Sequence, residues 1–166
     1  MTTMEEALEQ KHLLVVFHSQ GGDTSKMTQA VVRGAQREPV EVRVLHALEA
    51  DVLDLLWANA VLFGTPENFG YMSGALKDFF DRTFYPAQGK VNQLPYAVFV
   101  KASNDGTGAV TSIERIARGY PLKRVADPVV VRGELNKEDV ERCEELGQTI
   151  AAGLVLDGHL RRGAGG

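Results

Sequence analysis

Short apolar runs of strand length alternate with amphipathic helical stretches along almost the whole chain. Leu13–Phe17 reads as a strand buried on both faces, and Ser25–Arg37 then sets Met27, Ala30, Val31 and Gly34 on one helical stripe. Val40–Val44 alternates strictly, as a half-exposed edge strand does, and Leu48–Asn59 is a short helix carrying Leu53, Leu56 and Trp57. Ala60–Gly64 and Tyr96–Val100 are two further buried strands, followed by helices over Met72–Phe84 and Gly108–Tyr120. Val129–Val131 starts beside Pro128, which suits an edge. Asn136–Leu156 closes the pattern with Val140, Cys143, Gly147, Ile150 and Leu154 on one face. Five strands, each followed by a helix, predict an α/β fold: a parallel sheet between two helical layers, an αβα sandwich. The order 2-1-3-4-5 satisfies the two edge strands, although other open orders also leave them outermost.

Composition narrows the function classes. The 166 residues suit one domain over 1–166, with a globular part of about 12–156 and a flexible tail at Arg161–Gly166. A single cysteine leaves no intramolecular disulfide, multi-cysteine zinc site or iron–sulfur cluster, and a lone thiol fits the cytoplasm. The net charge of −4 argues against a non-specific grip on nucleic acid or an anionic membrane. Met1–Gln10 lacks the basic and apolar regions of a signal peptide, and no apolar run is long enough for membrane insertion.

In a sheet of this order, ligands bind beyond the carboxyl ends of the strands, near the point where the order reverses. The segments after strands one, three and four would meet there. After strand one, Ser19, Gln20, Gly21, Gly22, Asp23 and Thr24 lead into a helix. Two glycines, hydroxyls and free helix amides can hold a phosphate without lysine or arginine; a plain capped turn would read the same. This loop is neither a Walker loop nor a dinucleotide fingerprint. After strand three, Pro66, Glu67, Asn68, Phe69, Gly70 and Tyr71 set polar groups beside two aromatics. Such a loop can lie along a flat heteroaromatic ring, or its Phe can tuck into the core. After strand four, Ser103, Asn104, Asp105 and Gly106 form a polar turn that borders a ring edge or simply starts a helix.

Two runs carry a family resemblance. Phe17–Thr24 (FHSQGGDT) is similar to the FMN-phosphate loop of the flavodoxin-like flavoproteins. Gly64–Thr83 (GTPENFGYMSGALKDFFDRT) resembles the G-T/S-P-x-x-F-G-x-M-x-x-x-x-K-x-F-x-D-R-T signature of the WrbA-type NAD(P)H:quinone oxidoreductases and related FMN reductases. The resemblance spans about residues 12–156 and implies a flavodoxin-like αβα sandwich that holds FMN non-covalently. It implies that Ser19–Thr24 surround the ribityl phosphate, that Glu67, Asn68 and Phe69 flank the isoalloxazine, and that Ser103–Gly106 border its pyrimidine side. It also implies NAD(P)H as electron donor, a quinone or flavin as small-molecule acceptor, and a possible homo-oligomer. The chain departs from electron-carrier flavodoxins in having Gly21 where their phosphate loop has a hydroxyl. It is also shorter than the WrbA-type enzymes between the fourth strand and the last helix.

Other conspicuous residues have plainer readings. The four histidines show no ligand spacing, and His18 reads as a satisfied strand-end residue. Cys143 reads as inert packing, Trp57 as core, and Asp78, Asp81 and Arg82 as surface charges or a local ion pair. The acidic run over Glu134–Glu145 reads as a solvated helix end. Two alternatives to a flavin enzyme stand beside it: a flavodoxin-type electron carrier, and a binding module of the same fold without cofactor. The mild charge tilts against the carrier, since the resemblance implies a far more acidic surface for that role. A response-regulator receiver would need an acidic pair where His18-Ser19 stand.

Overall fold

The computed structural model describes residues 10–164, with side chains as far as residue 157. The segment expected to be a flexible tail lies wholly outside the described side chains, and its backbone continues the last helix as far as residue 164; most of the N-terminal segment lies outside the described residues. The strands are β1 (His12–Phe17), β2 (Glu41–His46), β3 (Ala60–Pro66), β4 (Leu94–Ala102), β5 (Leu122–Arg124) and β6 (Val129–Arg132). The helices are α1 (Asp23–Ala35), α2 (Val52–Trp57), α3 (Gly74–Ala87), α4 (Thr107–Gly119) and α5 (Lys137–Ala164). All strand pairs are parallel, and the sheet runs β2-β1-β3-β4-β5, with β6 also pairing to β4.

The expected order holds, and the fifth position differs in one respect. It is built from two pieces: β5 lies along Leu94–Tyr96 and β6 along Phe99–Ala102 of the same neighbour. The sequence reading found only the second piece. Leu122–Arg124 is three residues long with one buried position, too short to show any alternation.

Side-chain alternation in the strands feeds two cores. Leu14, Val16, Val61, Phe63, Tyr96, Val98 and Val100 face α2, α3 and α4. Leu13, Val15, Ala60, Leu62, Ala97 and Phe99 face α1 and α5. Three of the strands are thus buried on both faces, while β2 is exposed or half-buried throughout. Each fully buried Val, Leu or Phe contributes about 1.5–3 kcal/mol, so the two layers hold the carboxyl ends of the central strands in fixed register.

Charged residues do more here than their spacing suggests. Arg82 pairs with Asp78 at 2.7 Å, and also donates to the carbonyls of Ala50 at 2.9 Å and Ala47 at 2.7 Å. It therefore fastens α3 to the segment between β2 and α2. Thr83 Oγ1 lies 2.7 Å from the Tyr120 hydroxyl, which donates to the Phe80 carbonyl. Burial pushes the Tyr120 phenol up to about 12. Glu144, from the acidic run, contacts Arg33 and Arg37 of α1 rather than standing free in solvent. Trp57 packs at the core margin between His12, stacked at 4.3 Å, and the Arg43 guanidinium at 3.9 Å.

Candidate functional site

The loops after β1, β3 and β4 meet at the carboxyl edge of the sheet. The first leaves β1 with the His18 amide donating to the Gly64 carbonyl at 3.0 Å. Gln20 and Gly21 are exposed, and added Cβ atoms at Gly21 and Gly22 would meet nothing within 4 Å. Gly22 starts α1 at φ +94°, a conformation that favours glycine, and as glycine it brings no capping side chain of its own. The Ser19 hydroxyl oxygen accepts the Ser25 amide at 3.1 Å. Thr24 is buried, and its carbonyl accepts Thr28 Oγ1. By contrast, α2 and α3 are closed by Asp51 and Ser73. The open helix start directs free amides and a positive dipole end at the loop.

The second loop is a two-residue turn. Asn68 and Tyr71 exchange backbone hydrogen bonds of 2.8 and 3.0 Å, leaving Phe69 and Gly70 at the tip with φ +52° and +68°. Both tip residues being left-handed matches a primed hairpin turn, where glycine is expected and phenylalanine is costly. The Phe69 ring is fully exposed, and Tyr71 beside it is 40% exposed. The Phe therefore does not tuck into the core.

The third loop is tied to the second by Glu67, which is 3% exposed. Its Oε1 accepts the Ser103 amide at 3.2 Å and the Asn104 amide at 2.6 Å, and its backbone carbonyl accepts Ser103 Oγ. Its Oε2 has no hydrogen-bond partner among the described residues. Asp105 accepts the Thr107 amide, which holds its carboxyl below the usual range. Gly106 begins α4 at φ +80°, and Asp105 before it supplies the side-chain acceptor for the first helical amide. Gly108 brings α4 against the turn: a Cβ there would lie 1.8 Å from the Gly70 carbonyl oxygen.

Every residue expected from the sequence to hold the cofactor thus lies on this one edge, and the second and third loops touch one another. Several contacts escaped the sequence reading. The Glu67 bridge and the Gly108–Gly70 approach join loops distant in sequence, and no local signal marks them. Lys101 at the end of β4 lies 3.5 Å from the Asp23 carboxylate, which brings a cation beside the phosphate-type loop. Its signal was present, as the one charged residue in the apolar run YAVFVKA.

The flavodoxin family model matches residues 15–147. The chain belongs to the flavodoxin family. It is 30% identical to a flavodoxin of Aquifex aeolicus, covering 87% of each protein. It is 25% identical to an NAD(P)H dehydrogenase (quinone) of Syntrophus aciditrophicus, covering 87% of this chain and 86% of that one. The solved structure of a flavodoxin, WrbA-like protein from Agrobacterium tumefaciens superposes with a TM-score of 0.72 at 22% identity, over 89% of this chain and 99% of that one.

A flavodoxin fold offers its cofactor this same edge, and the residues present fit a phosphate-ended planar ring. The fit rests on a buried carboxylate oxygen without a partner among the described residues, a fully exposed aromatic held in a costly conformation, and two open glycines at the start of α1. Among the described residues, no group of His, Cys, Asp or Glu could hold a metal, and no helix is long and apolar enough to cross a membrane. A cavity of about 640 Å³ opens at the opposite, amino end, between Lys11, Pro95, Lys123, Ile150 and Leu154. Among the described residues no aromatic lines it, in contrast to the Phe69 and Tyr71 surface of the carboxyl edge. Cys143 is fully buried with its thiol pushed up to about 11, as inert packing requires.

His18 departs from its expected satisfied state. Its Nδ1 is buried without a partner among the described residues, and its ring lies edge-on to His46 at 5.2 Å. Burial first, and the neighbouring His46 second, lower its pKa below the ordinary 6.5. The folded chain therefore favours neutral His18, and the unfolded chain takes up the proton first as pH falls through about 6.5. Stability contributed by this residue is present above that pH and lost below it. Thermal melts at pH 7.5 and 5.5 check this: the acid-induced drop in Tm should be smaller in His18→Asn than in wild type.

Proposed function

We propose that this chain is an FMN-binding oxidoreductase that takes electrons from NAD(P)H and delivers them to a quinone, a flavin or a similar small acceptor. The observation that carries this reading is the exposed Phe69 ring, held at φ +52° on the same sheet edge as the glycine-begun starts of α1 and α4. A large aromatic that gains no burial and sits in a costly conformation is explained by a partner ring. Ser19–Thr24 would hold the phosphate through amides and hydroxyls. Glu67, Asn68, Phe69, Gly70 and Tyr71, with Pro66 fixing the loop's start, would flank the ring. Ser103, Asn104, Asp105 and Gly106 would border its pyrimidine edge. FMN supplies the reversible one- and two-electron chemistry.

The protein's share is position and electrostatics. The Glu67 bridge fixes the distance between the second and third loops, and Gly108 lets α4 press against the Gly70 backbone. The partnerless Glu67 oxygen offers an acceptor to a ring N–H. The open edge leaves room for a small acceptor to approach. Support for an enzyme comes from relatives named NAD(P)H dehydrogenase (quinone).

The similarity to the Aquifex flavodoxin favours a second reading, an electron carrier served by a separate reductase. Anaerobic titration of the FMN-loaded chain with NADPH and NADH separates the two. Direct, stoichiometric bleaching of the flavin by one of them is the expected result. A flavin that stays oxidised until a reductase is added would assign the chain to the carriers.

A further inference from the structure

Lys101 is out of place for a sheet residue. Strand alternation puts it with Ala97 and Phe99 on the face covered by α1 and α5, where its side chain is only 20% exposed. Lysine is among the residues least often buried, because both its charge and its rotamer freedom are lost there. The anion it meets is Asp23, the first residue of α1, at 3.5 Å and without a hydrogen bond. A well-made ammonium–carboxylate contact is about 2.7–2.9 Å. Asp23 hardly needs this lysine either, since a carboxylate in the first turn is already favoured by the helix dipole.

The same carboxylate makes the loop a poor phosphate site unless a cation offsets it. Asp23 directly follows Gly22 at the start of α1, where a dianion approaching the helix amides would meet a negative charge. Lys101 is a cation that the fold brings to 3.5 Å from that carboxylate.

We propose that Lys101 binds the phosphate monoester end of the cofactor, giving up its long contact with Asp23 to pair with the dianion, and so sets a preference for FMN over riboflavin. This inference rests on the reading of the edge as a flavin site, and deepens it. A free amide and hydroxyl cradle alone would hold the phosphate without charge; here the charge balance of the loop requires the lysine.

Flavin fluorescence titrations of the stripped full chain test it, with FMN and riboflavin run side by side. Lys101→Met should weaken FMN binding by about 10- to 100-fold, the worth of a charge-assisted hydrogen bond, and leave riboflavin binding within about twofold. Lys101→Arg should keep most of the FMN preference. Asp23→Asn should tighten FMN binding and leave riboflavin unchanged, which decides the matter if Lys101→Met does not fold. Equal losses for both flavins in Lys101→Met, or an unchanged FMN affinity, would overturn the role of Lys101. So would FMN binding that is unchanged or weakened in Asp23→Asn. A wild-type chain that binds riboflavin as tightly as FMN overturns the inference alone. One that binds neither overturns the flavin reading, and the inference with it.

Discussion

Replacing Phe69 with glycine is expected to weaken FMN binding by about tenfold or more while leaving the flavin-free chain at least as stable. The two halves of this result come from one observation. Phe69 sits at φ +52° with its ring fully exposed, so the ring contributes no burial and the backbone carries a left-handed cost of about 1–2 kcal/mol. Glycine removes that cost, and its extra freedom in the unfolded chain takes back about 0.4–1 kcal/mol. An aromatic stacking surface, by contrast, is worth about 1–3 kcal/mol to a bound ring. Phe79 supplies the comparison, because it is fully buried beside Phe63 and Phe80. Phe79→Ala should cost about 3–5 kcal/mol of stability. A paired measurement of melting temperature and FMN affinity distinguishes the two positions. If Phe69→Gly destabilised the flavin-free chain as a core substitution does, the ring would be a packing residue.

The second large effect is expected at the seam between the first and last helices. Gly147 packs against the α1 backbone so closely that a Cβ would lie 1.9 Å from the Val31 carbonyl oxygen. Gly34 returns the contact, with a Cβ position 1.8 Å from the Glu144 carbonyl oxygen. The obstructing atoms are backbone, so no rotamer change can make room. Gly147→Val should therefore cost about 3 kcal/mol or more, exceeding the roughly 0.5 kcal/mol by which valine is the better helix former. For a domain of this size, that lowers the melting temperature by about 6–12 °C, read by thermal denaturation. The loop after β1 opens into α1, so displaced helices should also weaken FMN binding. A melting temperature within about 2 °C of wild type would show that the helices pack more loosely than described.

Much of this architecture could be read from residue order because the fold repeats one local unit. Apolar runs such as LLVVF and YAVFV are buried on both faces, whereas VEVRV alternates, and that contrast alone marks centre from edge. Leu122–Arg124 was missed because three residues hold no period. At the site, glycines and hydroxyls announced the loops. The contacts between loops were not announced, since Glu67 reaching Ser103 and Asn104 depends on the register of β3 against β4. The signature that resembles the quinone oxidoreductases divides in two. Its first part forms the turn carrying Phe69. Its later residues, Arg82 and Thr83, anchor α3 through the Ala47 and Ala50 carbonyls and the Tyr120 hydroxyl. The later part of the most specific motif therefore serves the scaffold.

The central claim is that the three loops form one flavin site, and FMN fluorescence tests it most directly. Titrating the purified, stripped chain into FMN at micromolar concentration should quench the flavin with an end point of one FMN per chain, and Phe69→Gly should shift the curve to higher protein concentration. A well-folded chain that leaves FMN fluorescence unchanged across that range would contradict the account.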